Sequence, residues 1–398
     1  MTAVLPRIGG DRFTPPGWNQ VLFGTDARHR LGATVDRLGA TRVVVLSSPS
    51  VVGGTPLVDD AVAALRTRHA GTFAGVRPHS PVEDVLEAAA LARRVSADAL
   101  LVVGGSSVVD VSKAVVLLLA HGFDSEERLL SLVAAPDTAA VPEASAAGGR
   151  TLPQIGITTT LAGSEFSGVA GITHASLGVK YLYTDPALFF DTVILDPFAT
   201  LAVPREIWVS GGIKILDNAI EEIVSAGRQP VTTALALEAL RTLPDALRES
   251  DRDPGDLDAR ARAQHAAWLT VFGAHNAWPG LGAALRHKLG ARFGIVHGHA
   301  SAILTPHLLE FLQPVTGREN ILIAQALGAG DGAVAADAPR LYAALVAELG
   351  LPSRLRDIGI PQDSLPEIAA DALLQFVAHR GPRPVSQPEA LKILQRAW

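Results

Sequence analysis

Hydrophobic positions follow two patterns, one in each half of the chain. In the first half, short unbroken apolar runs alternate with stretches of helical period. "TRVVVLSS" (41–48) and "ADALLVVGG" (97–105) read as buried strands, and "GTFAGV" (71–76) as a short one. "LPQIGITTT" (152–160) and "DTVILDP" (191–197) supply two more. Between them "PLVDDAVAALRTRH", "SPVEDVLEAAALARRV" and "SVVDVSKAVVLLLAH" are helical, the second opening on Ser-Pro with acids in its first turn. Apolar runs without alternation, separated by helices, predict a parallel sheet covered on both faces. Residues 123–150 read as a helix fragment followed by a mobile loop. After Pro204 the strand patterns stop, and helical patterns continue to Trp398, broken at "GRQP", "DRDPGD", "NAWPG", "GAGDG" and "GLPSR". The boundary therefore falls near residue 200. Residues 1–200 form an α/β domain with a Rossmann-like parallel sheet, and residues 201–398 form an all-α domain.

Composition adds exclusions. Among 398 residues, 48% are hydrophobic and 19% charged, the balance of a globular protein. The formal net charge is -6, without a basic cluster for nucleic acid or an anionic membrane. The chain has no cysteine, which removes disulfides, thiolate metal sites and cysteine nucleophiles. The N-terminus lacks a signal-peptide core, and apolar runs such as "AVVLLLA" fall far short of a bilayer span. A soluble cytoplasmic protein is expected.

Candidate chemistry begins where a strand pattern runs into a helix, at "VVGGSSVVDVSKA". Gly104 and Gly105 remove side chains, so backbone can approach a ligand closely. Ser106 and Ser107 then open a helix, whose free N–H groups and positive dipole end favour phosphate. A capped helix after a tight turn accounts for this segment equally well. A second loop, "TTTLAGSEFSG", follows another strand and is dense in glycine and hydroxyls, with Thr158, Thr159 and Ser164 as donors. Two such loops at strand C-termini in a parallel sheet can converge on a nucleotide at its switch point.

These residues also carry a family pattern. "GGSSVVDVSK" resembles the GGGSxxDxxK segment of the iron-containing alcohol dehydrogenase superfamily, and "TTTLAGSE" its TTxGTGSE loop. "HKLGARFGIVHGHASAILTPHLLEF" resembles its histidine-bearing helix pair. "FGTDA", "LAGSE", "LPSRLRDIGI" and "GPRPVSQPEALKIL" point within it to maleylacetate reductases. The resemblance implies a dehydroquinate synthase-like fold, a nicotinamide-binding α/β domain followed by a helical one, and a homodimer. It places Gly104, Gly105 and Ser106 at the cofactor pyrophosphate, with Thr158, Thr159 and Ser164 lining the cofactor. It places Lys180 at the ribose, and matches Asp110 and Lys113 as well. NAD and NADP both stay open, because "LSSPS" (46–50) offers neither the acid that selects NAD nor a nearby arginine.

At the family's metal-ligand positions this sequence departs. Matched by the resemblance, the first pair falls at Lys214 and Asn218 in "GGIKILDNAIEEI", the third at Ala283, and the fourth at His297. A protonated lysine and an alanine cannot ligate, so no metal is expected. A new site from His297, His299 and Asp217 is the remaining metal reading. Asp217 adjoins Asn218, but on a helix the next side chain points roughly 100° away. Lys214 either stabilises the developing alkoxide in the metal's place or merely fills the space. His287, which the resemblance places beside the nicotinamide, is the candidate proton relay. The sequence is read as a metal-independent NAD(P)H-dependent reductase of a small carbonyl or oxo-acid. An imine or iminium reductase, and a non-redox protein keeping the nucleotide fold, are the alternatives.

Overall fold

Unbroken Val/Leu/Ile runs make strands because such a strand is buried on both faces. The computed structural model describes residues 9–10, 13–133 and 151–398. Its strands are β1 (Gln20–Phe23), β2 (Val43–Ser47), β3 (His69–Phe73), β4 (Ala99–Gly104), β5 (Gln154–Thr158), β6 (Val169–His174), β7 (Val179–Thr184) and β8 (Thr192–Leu195). Six of them, among the described residues, form one parallel sheet in the order β1-β8-β5-β4-β2-β3. Val43, Val45, Leu101 and Val103 pack with Leu31, Val35, Leu57 and Leu65 of two helices, α1 (Leu31–Leu38) and α3 (Leu57–Leu65). The alternate residues Val44, Leu46, Leu100 and Val102 are equally buried. Both faces are thus covered, as the absence of alternation predicts. The remaining helices of this unit are α2 (Pro49–Gly54), α4 (Val82–Arg94), α5 (Ser106–His121) and α6 (Glu126–Leu130).

The chain steps outward from β2 to β3, then returns to lay β4 on the other side of β2. The winding reverses there, which opens a crevice at the strand C-termini. Ser47 Oγ donates to Val103 O at 2.7 Å across that junction.

The sequence reading leaves out the helices α1 and α2 and the strands β1, β6 and β7. The short edge strand β1 carries only four residues. β6 and β7 form an antiparallel hairpin with its own register, Val169 opposite Thr184 and His174 opposite Val179. The predicted helix fragment in 123–150 is α6; residues 134–150 of that reading lie outside the described residues.

Contacts divide the chain between Val203 and Pro204, and the described residues before Pro16 cluster with the helical unit. The boundary drawn at residue 200 thus needs one correction at the N-terminus. Gly9 and Gly10 donate backbone N–H groups to Arg228 O at 2.8 and 3.0 Å. Thr14 and Asn276 exchange two hydrogen bonds, and Phe13 stacks on Phe272. An extended segment without apolar period gives no such signal in sequence.

The second unit is helical: α7 (Arg205–Val224), α8 (Pro230–Arg252), α9 (Leu257–Val271), α10 (Leu281–Phe293), α11 (His297–Ala324), α12 (Asp337–Glu348), α13 (Leu365–Leu373) and α14 (Gln387–Ala397). Leu285 and Leu289 of α10 pack with Ile303 and Leu304 of α11, Ile368 of α13 and Ile393 of α14.

Candidate active site

In the α/β unit the two glycine- and hydroxyl-rich loops meet. β4 and β5 are neighbours, with Gly104 opposite Thr158, and Thr159 N–H donates to Gly104 O at 3.0 Å. Gly105 is the extended residue before α5, and a Cβ there would stand 3.0 and 3.1 Å from the Thr160 methyl and hydroxyl. A Cβ on Gly104 would meet Val108 at 2.7 Å. A side chain at Gly104 would force Val108 to shift, and one at Gly105 would press on Thr160. Ser106 begins α5; Val108 N–H donates to Gly105 O at 3.0 Å, and the N–H groups of Ser106 and Ser107 are the ones left without an intrahelical acceptor. Thr158 and Thr159 are buried, and the Ser164 hydroxyl is buried without a hydrogen-bond partner among the described residues. An orphaned hydroxyl beside a glycine cradle suits a polar ligand.

Lys180 lies on exposed β7. Its Nζ and Asp110 Oδ2 border Gly171, at 3.3 and 3.5 Å from where a Cβ on that glycine would stand. Lys113 is fully buried, and Nζ donates to Ser164 O at 2.6 Å, Ser167 O at 2.7 Å and Val169 O at 2.7 Å. Burial lowers its pKa to about 8, while Asp110 and Glu165 act in the opposite direction.

In the helical unit, every residue from Gly212 to Ser225 is buried except Lys214 and Asn218, which keep partial exposure one turn apart. α11 reaches the same region of α7 because Gly298 has no side chain. A Cβ there would stand 2.0 Å from Ser210 O, one turn before Lys214. Gly290 likewise makes room for His297, whose Nε2 would stand 3.2 Å from a Cβ on that glycine. The His287 and His297 rings lie 5.6 Å apart, tilted by 43°. His287 Nδ1 is 3.1 Å from Gln375 Oε1. A carbonyl oxygen only accepts, so Nδ1 is the donor in this contact.

Behind this face lies a buried ionic cluster that the sequence reading missed. Arg286 of α10 bonds Asp217, and its Nη2 donates to Glu221 Oε2 at 2.8 Å. Ser301 and Thr305 of α11 donate to the two Asp217 oxygens at 2.8 and 2.6 Å, and Ala283 N–H donates to Glu221 Oε1 at 3.2 Å. Two carboxylates share one guanidinium, out of water. Burial pushes the Glu221 carboxyl up, against the pull of Arg286, with Asp217 adding to the rise.

Residues 19–197 match the iron-containing alcohol dehydrogenase family, and residues 208–398 its C-terminal region. Maleylacetate reductase 2 of Cupriavidus pinatubonensis is 32% identical over 382 residues, 95% of this chain and 94% of that protein. Maleylacetate reductase of Burkholderia cepacia is 30% identical, covering 95% of each. The crystal structure of maleylacetate reductase from Agrobacterium tumefaciens superposes with a TM-score of 0.80 at 27% identity, covering 97% of each chain. The chain belongs to the iron-containing alcohol dehydrogenase family. It is accordingly an NAD(P)-dependent oxidoreductase.

Membership makes the ligand positions of this family's metal a direct test. Lys214 brings a cation, Asn218 an amide and Ala283 a methyl group, and of the matched positions only His297 offers a ligand nitrogen. Asp217 is buried and occupied by Arg286, Ser301 and Thr305, and His299 Nε2 faces Glu206 at 3.7 Å. The described residues contain no group of three His, Asp or Glu able to hold a metal ion. The side chains here do not fit the family's metal. Among the described residues no helix is long and apolar enough to cross a membrane.

Proposed function

We propose that this oxidoreductase is a metal-independent NAD(P)H-dependent reductase of a small carbonyl or oxo-acid, resembling the maleylacetate reductases. The observation that carries the reading is Lys214. By the resemblance it matches a metal-ligand position, and it lies on a partly exposed stripe of α7, while the cofactor loops keep both close-packed glycines.

The α/β unit binds the nicotinamide nucleotide through Gly104, Gly105, Ser106, Thr158, Thr159 and Ser164, with Asp110 and Lys180 at its edge. When bound, the nicotinamide supplies the hydride. The helical unit supplies the electrostatics. Adding hydride to a carbonyl carbon leaves the electron pair on oxygen, and the Lys214 ammonium stabilises that negative charge. His287, oriented by Gln375 through Nδ1, takes up a solvent proton at Nε2 and passes it to the alkoxide, completing the alcohol. The Lys214 cation disfavours an iminium substrate, which would meet it with like charge.

The test is absorbance at the nicotinamide band with either nucleotide and a panel of small oxo-acids and imines, alongside elemental analysis. Turnover of an oxo-acid without stoichiometric metal, unchanged by chelator, is expected. Activity that disappears with a chelated ion refutes metal independence, and turnover confined to imines refutes the carbonyl.

A further inference from the structure

Lys113 is the most deeply committed charged group of the α/β unit, and no step of the reaction above uses it. It projects from the second turn of α5 and is completely buried. A lysine ammonium has three N–H donors. All three have acceptors in a single short stretch of chain, the carbonyls of Ser164, Ser167 and Val169 at 2.6–2.7 Å, with Ser167 Oγ a further 3.3 Å contact. This stretch starts after Gly163, which has φ 73°, and passes through one 3-10 turn into β6. It presents the orphaned Ser164 hydroxyl.

Packing alone does not account for such an arrangement. A buried Met in place of Lys113 would fill the same space without the cost of removing a charge from water, which exceeds that of any other side-chain burial. The cation instead gathers three carbonyls of a loop whose shape no regular ladder fixes; of these Ser164 O also accepts the Ser167 N–H of the 3-10 turn at 3.1 Å.

We propose that Lys113 is the positioning residue of the cofactor site, its ammonium holding the 163–169 loop in the one conformation that receives the nucleotide. This rests on the reading of that loop as part of the cofactor site. Asp110, one turn earlier on α5, and Glu165 of the loop are the charged groups that act on Lys113. Lys180 borders Asp110 from β7. When Lys113 loses its proton, two N–H donors remain for three carbonyls. One carbonyl is then left facing a lone pair, and the loop loosens. Cofactor affinity should follow the protonation of Lys113, which burial places near pH 8.

The experiment measures two quantities on wild type and Lys113→Met. Amide hydrogen exchange of the peptide covering residues 159–170, without nucleotide, should be about tenfold faster or more in the variant, the loss of one charge-assisted contact. The dissociation constant of NADH and of NADPH, from nicotinamide fluorescence between pH 6.5 and 9.5, should be flat at low pH in wild type. It should then weaken with a one-proton inflection above about pH 8. The variant should bind about tenfold or more weakly with no inflection. A merely structural lysine would lower the melting temperature and leave the wild-type profile flat. If Lys113→Met does not fold, the wild-type profile decides alone, and a flat one overturns the proposal. Equal exchange in variant and wild type overturns it too. If wild type binds neither nucleotide, the functional reading falls instead, and the exchange comparison still decides whether Lys113 sets the loop.

Discussion

His287 holds its Nδ1 3.1 Å from the side-chain oxygen of Gln375, a contact made across 88 residues of sequence. It fixes ring orientation and tautomer together. Gln375→Leu should therefore lower kcat by about 10-fold to 100-fold, part of the roughly 10²–10⁴ that a positioned proton-transfer group contributes. Nucleotide affinity should stay within about twofold. Gln375→Glu places a negative charge on Nδ1, raises the proton affinity of His287 and should move the pH optimum upward. A kcat unaltered in Gln375→Leu removes Gln375 from the mechanism.

Lys214→Met preserves length and apolar stem while deleting the charge. Loss of one preorganised electrostatic donor costs about 10²–10³ in rate, and turnover should fall by that much with the nucleotide dissociation constant unchanged. Lys214→Arg should lie between. Near wild-type turnover in Lys214→Met would make this lysine a space-filler.

Gly105→Val adds a branched side chain whose Cβ meets Thr160 at about 3 Å, where β4 and β5 bring the two loops together. Nucleotide binding should drop by about 100-fold, the upper end of the about 1–3 kcal/mol that a steric insertion costs. The far-UV circular dichroism should be retained. Titration calorimetry with NADH and NADPH reads the outcome, and unchanged affinity would make the turn purely structural.

Glu222 is buried on α7, neither of its oxygens has a hydrogen-bond partner among the described residues, and burial raises its pKa well above the ordinary 4.5. The folded state thus keeps a proton that the unfolded chain releases. Stability from this group is complete below pH 4.5 and declines as pH climbs above it toward the raised folded value. Glu222→Leu should remove that decline and stabilise the protein at pH 8 by about 1–3 kcal/mol, the cost of an unsatisfied buried polar group. Urea unfolding at pH 4.5 and 8 checks both claims, and a variant less stable than wild type at pH 8 contradicts them.

Much of this was legible in the chain itself. Runs such as Val43–Ser47 and Ala99–Gly104 announce buried strands because neither face meets water. The helical pairing of Lys214 with Asn218 follows from the 3.6-residue period, and so does the turning away of Asp217. The hairpin of β6 and β7 had a signal in the β-branched and aromatic residues around Ala-Ser-Leu-Gly, a short glycine-containing loop. What period cannot reveal is a partner distant in sequence. Arg286 lies 69 residues from Asp217, Gln375 lies 88 from His287, and Lys113 lies 51 to 56 from the carbonyls it binds. Each pairing is made by tertiary packing, so residue type and spacing leave it undetermined.

If the protein works without metal as proposed, the cluster of Asp217, Glu221 and Arg286 would make a return to a metal site hard. Returning metal-binding side chains to positions 214, 218 and 283 would set a divalent ion one helical turn from the guanidinium of Arg286, cation against cation. Removing Arg286 first would leave Asp217 and Glu221 buried without their shared counter-ion, a loss of about 3–5 kcal/mol for a broken buried pair. Neither order offers a neutral first step. On that reading the arrangement would act as a ratchet: chemistry around Lys214 could be refined by single substitutions, whereas acquiring an ion would require several changes at once.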